Sequence, residues 1–400
     1  MAMSDLPNLL QVRAFVRVAD QGSVSRASGT LFRAQSVVTR AIRDLEVRLD
    51  VPLFERHASG MLLTDYGKRV LTRARRILAE LAQVPSLLGN VAAHAAEPVY
   101  LFNARRLELF ISLCQTRHMQ TVASLFGLTQ PAVSAALKVL ESGSGCLLFE
   151  RSSRGLQPTR AAGEILAPIR RALNELRHID ADIAALRGTL QGVVTVGALP
   201  LGRSSILPRA IIALTTEHPG VRVATNESPF DLLASDLRAG DVDFVLGALR
   251  PADFASDLHG EALLTEPMVL LARRDHPLQG RALQVADLAD ARWVLSRAGS
   301  PARALLQRQF DDWGVAAPIP VVESADLAII RGLLLGSDMI AAVSAHQLSH
   351  ELDSGQLQQL ALALPITTRP IGLIYRSAGL HSPAAQALLE AIRGVVSASA

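Results

Sequence analysis

One block of this chain is used twice. Leu53-Phe54-Glu55-Arg56 returns as Leu148-Phe149-Glu150-Arg151, a shift of 95 positions. At the same shift Phe15 matches Phe110, Gln35 matches Gln130, and Leu45-Glu46 matches Leu140-Glu141. Gly60 matches Gly155, Thr64 matches Thr159, and Arg75-Arg76 matches Arg170-Arg171. A gapless register held from Phe15 to Arg76 means that the front half is one unit built twice.

Each unit reads as short helices followed by a turn and a small β element. Leu107, Phe110, Ile111 and Cys114 fall at i, i+3, i+4 and i+7, the stripe of an amphipathic helix. A short helix around 121–126 follows, stopped by Gly127. Thr129 can cap a third helix, with Pro131 near its start, where a missing N–H costs nothing. Val133, Leu137 and Leu140 line its buried side, while Gln130, Ser134 and Lys138 form a polar face at i, i+4 and i+8. Two helices on a tight turn, the second with a polar face, describe a helix-turn-helix. Leu148 to Thr159, carrying Arg151 and Arg154, predicts a hairpin wing.

Charge points the same way. Residues 1–190 hold 24 Lys and Arg against 16 Asp and Glu, and residues 191–400 hold 16 against 21. A basic, arginine-rich front half attached to an acidic back half suits an anionic partner for the front alone, or else an ordinary solvated surface. A helix fits the major groove of DNA, where Gln, Ser, Thr and Arg side chains bond base edges. Wing arginines bind phosphates, which fixes register without reading sequence. The other reading is a generic helical bundle with a hydrophilic face. At 49% hydrophobic and 19% charged residues the chain has enough apolar surface for several packed cores. No segment has the apolar length of a membrane span, and the start lacks a signal-peptide pattern. Cys114 and Cys146 form neither a CxxC pair nor a disulfide framework. These features predict a cytoplasmic protein.

The motifs resemble those of the LysR-type transcriptional regulators. The first copy carries GSVSRAS (22–28), AQSVVTRAIRDLE (34–46), PLFER (52–56) and LLTDYG (62–67). The second carries TVAS (121–124), LTQPAVSAALKVLE (128–141), LLFER (147–151) and QPTRAAG (157–163). The resemblance extends over nearly the whole chain, but a single such domain is the family norm. It implies groove contacts from Gln35, Ser36, Thr39, Arg40 and Arg43, and from Gln130, Ser134 and Lys138. Phosphate contacts would come from Arg56, Arg151 and Arg154. Both copies depart from the pattern. In the first, Arg33 replaces an apolar residue, Ala34 the capping Ser or Thr, and Ser36 the proline. A lost cap costs about 1 kcal/mol, so a looser recognition helix is expected. The second has Ala135 where the first has Arg40, and Gly143-Ser144-Gly145 where the helix would continue. Two readings stay open: both copies touch DNA, or only one does.

Ile165, Leu166, Ile169, Leu173, Leu176, Ile179, Ile183 and Leu186 recur in steps of three and four, the period of a coiled-coil seam. Such a stripe either dimerises subunits, as the resemblance implies, or packs on its own domain. Val70, Leu71, Ala74, Ile77, Leu78 and Leu81 form a shorter counterpart ended by Pro85, and GNVAAHAAEPV (89–99) reads as a connector.

From Gly192 the period changes. VVTVGAL (193–199), VRVAT (221–225) and DFVLGAL (243–249) read as strands separated by helices at 206–218 and 232–239. PMVLLARRDHPL (267–278) opens a second half containing RWVLS (292–296), a helix at 302–313 and VVES (321–324), and ITTRPIGLIYR (366–376) returns to the first. The resemblance implies two α/β lobes with a small-molecule cleft between them. Ligands in open α/β sheets sit beyond the carboxyl ends of strands. That rule selects Leu199, Pro200, Arg203, Ser204 and Ser205, Gly247 and Ala248, Ser296 and Arg297, and Glu323 and Ser324. Arg203-Ser204-Ser205, and Arg297 with Gly299 and Ser300, precede helices and suit an anion, or form surface ion pairs.

No HExxH, GxSxG or strand-borne GxGxxG is present, and the histidines are scattered. His346 and His350, spaced i, i+4, are two exposed side chains or half of a metal site with no third ligand nearby. Cys114, on an apolar face, reads as an inert buried thiol. Enzyme chemistry is therefore not expected. The rival reading is a solute-binding protein whose front half serves assembly. The expected fold is α+β and multidomain: two winged helix-turn-helix domains, a long linker helix and a two-lobed, periplasmic-binding-protein-like effector domain. The first winged domain, with its short linker helix, takes residues 1–88 and a connector 89–102. The second takes 103–163, and the linker or dimerisation helix 164–188. The effector domain runs 191–400, with lobe I at 191–265 and 365–400 and lobe II at 266–364. Expected partners are promoter DNA, a small-molecule effector such as an organic acid or sugar, RNA polymerase, and further copies as a dimer or tetramer. No cofactor, metal or membrane is expected.

Overall fold

A computed structural model describes residues 6–57, 60–89, 97–152, 155–251 and 255–398. The expected connector falls partly on 90–96, outside the described residues. Two compact units emerge: Met1–Gly192 with Arg238–Asp241, and Val193–Leu237 with Val242–Ala400.

In the first unit the chain runs α1 (Leu9–Gln21), α2 (Val24–Leu31), α3 (Gln35–Leu49), β1 (Phe54–His57), β2 (Gly60–Leu63), α4 (Asp65–Ala82) and the one-turn α5 (Val84–Leu87). It then repeats the order as α6 (Ala104–Thr116), α7 (Met119–Phe126), α8 (Gln130–Ser144), β3 (Phe149–Ser152), β4 (Gly155–Pro158) and α9 (Arg160–Leu186). The residues shared at the 95-position shift make the same contacts in each module. Asn8 and Asn103 both accept from backbone amides as N-caps, of α1 and α6 respectively. Glu46 Oε1 accepts from the Leu53 and Phe54 amides at 2.8 and 3.2 Å, and Glu141 Oε1 from Leu148 and Phe149 at 2.9 and 3.3 Å. Thr64 and Thr159 cap α4 and α9 through their hydroxyls, which also donate to the Pro52 and Leu147 carbonyls. Phe15 meets Phe54 with ring centroids 5.3 Å apart, and Phe110 meets Phe149 at 5.9 Å. Each hairpin leans on the turn after its first helix: Met61 N donates to Gly22 O and Leu156 N to Arg117 O. A Cβ on Gly60 would lie 2.6 Å from that Gly22 oxygen, so only glycine fits. The repeated motif residues thus hold the hairpin to the helices.

The fold bears on two points of the sequence reading. The Gly143-Ser144-Gly145 run does not cut α8 short; it ends at Ser144, with left-handed Gly145 as its cap, as α3 ends at Leu49 before left-handed Asp50. Gly143 is small because the Tyr100 ring packs on it, and a Cβ there would sit 2.2 Å from Tyr100 Cγ. The stripe on α9 is filled from within the chain. Ile165, Ile169, Leu173, Leu176, Ile179 and Ile183 are buried, and α9 packs along α4, whose Val70, Ala74, Ile77 and Leu81 are buried too. Ion pairs fix the direction: Arg69 with Asp182 (3.3 Å), Arg76 with Glu175 (2.7 Å) and Glu80 with Arg171 (2.7 Å). Numbers rise on α4 as they fall on α9, so the helices run antiparallel. Arg73, fully buried, bridges Glu175 at 2.6 Å and Asp182 at 2.9 Å.

The second unit runs β5 (Gly192–Ala198), α10 (Pro200–Arg203), α11 (Ile206–Glu217), β6 (Val221–Asn226), α12 (Phe230–Ala239), β7 (Phe244–Ala248) and β8 (Leu258–Arg273). It continues with β9 (Arg292–Leu295), α13 (Pro301–Asp312), β10 (Val322–Glu323), α14 (Leu327–Gly336), β11 (Met339–Ser344), α15 (Ser349–Asp353), β12 (Leu357–Gln359), β13 (Leu364–Arg376) and α16 (Pro383–Ser397). Strand order is β10-β9-β11-β8-β13-β7-β5-β6, with β12 beside β8. β5 and β7 are parallel in one lobe, and β9, β10 and β11 in the other. Antiparallel β8 and β13, paired from Leu258 with Arg376 to Met268 with Leu364, carry the chain between them. β8 begins well before Pro267, so the second lobe is entered along a continuous strand rather than a new one. Separate cores sit around Trp293 and Phe310, around Ile330 and Leu348, and around Phe230 and Leu237.

Candidate nucleic-acid interface and effector cleft

α3 and α8 each bury one stripe, Val38, Ile42, Leu45 and Leu49 in the first and Val133, Leu137 and Leu140 in the second. The opposite faces are polar. Gln35, Ser36, Arg40 and Arg43 are exposed with Thr39 half-buried, and these five line one open concavity together with Asp44. Arg40 lies 3.6 Å from Asp44, a loose pair that leaves the guanidinium in solvent. Gln130, Ser134 and Lys138 are exposed at the equivalent positions on α8, and Arg151 is exposed on β3. Thr129 accepts from Ala132 N at 3.4 Å, whereas Ala34 offers α3 no side-chain cap, as the sequence indicates. Arg154 and the Arg56 side chain lie outside the described residues.

In the second unit a cavity of about 420 Å³ opens between α10 on one side and α14, α15 and the turn 345–348 on the other. Pro200, Arg203 and Ser204 form its first wall. The facing wall comes from 325–328 with Arg331 and from 347–351, which the strand-end rule did not select. Arg203 Nε donates to its own Ala198 carbonyl at 2.8 Å, and Ser204 Oγ reaches His346 O at 3.3 Å across the cleft. The remaining selections do not line this cavity. Gly247 is buried under Leu199, where a Cβ would come within 2.5 Å of the Leu199 side chain. Ser296 and Ser300 hydroxyls bond each other at 2.8 Å, Arg297 and Glu323 are exposed, and buried Ser324 accepts from Asp326 N. Ser205 and Ala248 are half-buried. His346 and His350 do not share a helix, since a tight turn at 345–348 precedes α15.

The sequence reading missed Arg369. It sits on β13 in register with Glu266 of β8, is 8% exposed, and donates from Nη2 to Ser344 Oγ at 3.4 Å, where β11 ends. Its Nε and Nη1 have no hydrogen-bond partner among the described residues, nor do Glu266 Oε1 and His346 Nε2. Burial pulls this guanidinium below its usual range, and Glu266 acts against that shift. A buried cation with free donors calls for an acceptor. Its signal in the sequence is a charged residue in the middle of a strand-like run, ITTRPIGLIYR, whose other arginine, Arg376, lies at the end. Cys114 is half-buried, and burial pushes its thiol up to about 12. Among the described residues no single helix is long and apolar enough to cross a membrane.

Comparison with known proteins agrees with both halves. The family model described as "Bacterial regulatory helix-turn-helix protein, lysR family" matches residues 9–68 and again 104–163. The model described as "LysR substrate binding domain" matches 187–397. The HTH-type transcriptional regulator GalR of Pseudomonas putida is 67% identical over 396 residues, 99% of each chain. GbpR of Azospirillum brasilense, also an HTH-type transcriptional regulator, is 29% identical over 72% of this chain and 85% of its own. Among solved structures, a full-length OxyR variant from Pseudomonas aeruginosa shares the fold (TM-score 0.55, 24% identity, 74% of this chain and 94% of that one). So does CbnR, a LysR family transcriptional regulator (TM-score 0.55, 21% identity, 74% and 99%). Similarity over the whole length to regulators does not favour a solute-binding protein with an unrelated front half. A helix-turn-helix joined to a two-lobed effector-binding domain, matched by sequence and by fold, makes this chain a transcriptional regulator of the LysR family.

Proposed function

We propose that the three-helix modules are a tandem pair of winged helix-turn-helix domains, that both read promoter DNA, and that a small anionic effector in the second unit tunes the binding. The supporting observation is positional. α3 and α8 carry exposed polar groups at equivalent places: Gln35 and Gln130, Thr39 and Ser134, Arg43 and Lys138. Gln and Arg reach base edges in the major groove, and Arg151 reaches a phosphate. The sequence reading adds Arg56 and Arg154 as further phosphate contacts. The second reading, in which one head alone reads bases, is favoured by Ala34 without a cap and by Ala135 in place of Arg40. Footprinting separates them. Q35A and Q130A should each weaken specific binding by roughly 1–3 kcal/mol if each glutamine makes a bidentate base contact. One unchanged footprint assigns that module a structural role and replaces the proposal by the second reading; two unchanged footprints reject DNA reading by these glutamines altogether.

For the effector, Arg369 with Ser344 and His346 favours an organic acid over a neutral sugar, because a carboxylate supplies the acceptors that Nε and Nη1 lack. The protein acts in the cytoplasm, with RNA polymerase as downstream partner. Assembly into dimers or tetramers uses surfaces other than the α4–α9 seam. A ligand preferring one lobe arrangement shifts DNA occupancy by its differential affinity only. R369M should abolish the effector's influence on operator binding while leaving the ligand-free affinity intact; an undiminished response rejects the assignment.

A further inference from the structure

The seam between α4 and α9 has a property that an ordinary linker helix pair inside one chain does not need. At the 95-position shift Arg76 corresponds to Arg171, and Glu80 to Glu175. The two ion pairs are Arg76 with Glu175 and Arg171 with Glu80, both at 2.7 Å. Each arginine therefore takes the glutamate of the other copy, and the pairing is reciprocal. Reciprocal contact is the signature of a two-fold, self-complementary interface, the kind that normally joins two separate subunits. The pairs are centred on Leu78 and Leu173, themselves equivalent, and both pack in the common core. The flanking apolar positions, Val70 and Ile165, Ala74 and Ile169, Leu81 and Leu176, are equivalent as well.

Away from that centre the symmetry is broken in a way that favours pairing within the chain. Arg73 corresponds to Pro168, so only α4 supplies the buried guanidinium that neutralises Glu175 and Asp182. An α9 paired with another α9 would bury Asp182 opposite proline, a costly unpaired charge. Arg48 with Asp180, and Arg187 with Asp50, tie the end of α3 to the last turns of α9. Glu97, at the described end of the connector, binds Arg13 and Arg17 of α1.

We propose that one chain is by itself the complete two-headed reader, and that its partner is a duplex with two unlike half-sites in fixed order. This rests on the reading that both modules contact DNA. α4 begins directly after the first hairpin and α9 directly after the second. In the antiparallel register Asp65 lies near Leu186, so the hairpins are separated by about 39 Å along α9 at 1.5 Å per residue. One turn of duplex, the spacing of adjacent half-sites on one face, is roughly 34–36 Å. The heads differ where they read: Arg40 faces one half-site and Ala135 the other, Arg43 one and Lys138 the other. Arginine takes guanine through two bonds where alanine takes none, so the preferred halves differ in sequence and the complex has a direction.

Two measurements on the full-length protein test this. In the first, R76K supplies an amine for carbodiimide coupling to Glu175, and the products are separated by mass under denaturing conditions. The linked peptide is expected in the one-chain band; its recovery solely from a two-chain band means that the seam joins different chains and overturns the proposal. In the second, the footprinted site is compared with two palindromes of unchanged spacing, each made from one half-site. The natural order should bind at least roughly tenfold tighter than either palindrome, as expected for one lost bidentate contact; a palindrome that binds as well overturns the proposal. Failure to bind any duplex, with the cross-link intact, refutes the DNA-reading function rather than the seam.

Discussion

Replacing Arg73 by methionine should be among the most damaging single changes in the first unit. The guanidinium has no solvent exposure and lies 2.6 Å from Glu175 and 2.9 Å from Asp182, which are 4% and 1% exposed. Methionine fills similar volume, so the packing loss is small and the effect is electrostatic. Two buried carboxylates lose their shared cation, and breaking a buried pair from one side costs about 3–5 kcal/mol. Arg76 still holds Glu175, and Arg69 still reaches Asp182 at 3.3 Å, which places the loss near the lower end, about 3 kcal/mol. The control is R76M. Arg76 is partly exposed and shares Glu175 with Arg73, so its loss should cost no more than about 1 kcal/mol. Urea unfolding of the full chain, with hydrogen exchange at α4 and α9 amides to assign the transition, measures both. The triple variant R73M/E175M/D182L should recover most of the loss, because apolar residues of similar volume replace buried charges without penalty. An R73M loss below about 1 kcal/mol, or equal losses for R73M and R76M, would refute the reasoning.

Three further outcomes follow from the same unit. His178, on α9 and set against Arg73, is lowered from its ordinary 6.5 to about 4, by burial first and Arg73 second, with Glu175 and Asp182 opposing. Between those values the unfolded chain binds the proton better, so stability is full above pH 6.5 and falls as pH drops toward 4, by up to about 3 kcal/mol. H178Q should flatten that slope in urea midpoints taken across the range, and an unchanged slope rejects the assignment. E46A and E141A each strand two backbone amides at the root of a hairpin, at about 1–3 kcal/mol. Faster exchange at Leu53 and Phe54 in one variant and at Leu148 and Phe149 in the other is expected, and unaltered exchange counts against the clasp. G143A must push back Tyr100, and a loss of about 1–3 kcal/mol is expected in thermal unfolding, against none if the ring simply swings away.

Most of the architecture was legible because it is written in periods and punctuation. Stripes at three and four predicted α6, α8 and α9, and alternating strands and helices predicted the first lobe. What could not be read was partnership. The 165–186 stripe announces a buried face without saying whose surface covers it, and only the fold places α4 there. Gly143 reads as a helix breaker until Tyr100, 43 positions earlier in the chain, is seen resting on it. In the second lobe the sequence reading assigns no element between Ser324 and Ile366, although Gly336-Ser337-Asp338 does separate α14 from β11. The strand-end rule therefore stopped at Ser324 and missed the wall at 347–351. Arg369 belongs to no motif, and its meaning comes from burial and unmet donors, which are three-dimensional quantities.

In a reader assembled from identical subunits, any change on the recognition helix lands on both heads at once, and the site must change in both halves to keep pace. Here α3 and α8 are separate stretches of a single coding sequence. On the proposal that both modules read DNA, one can drift while the other keeps its grip, and a promoter would acquire or lose recognition one half at a time. Arg40 and Ala135, at equivalent positions, already differ between the two stretches.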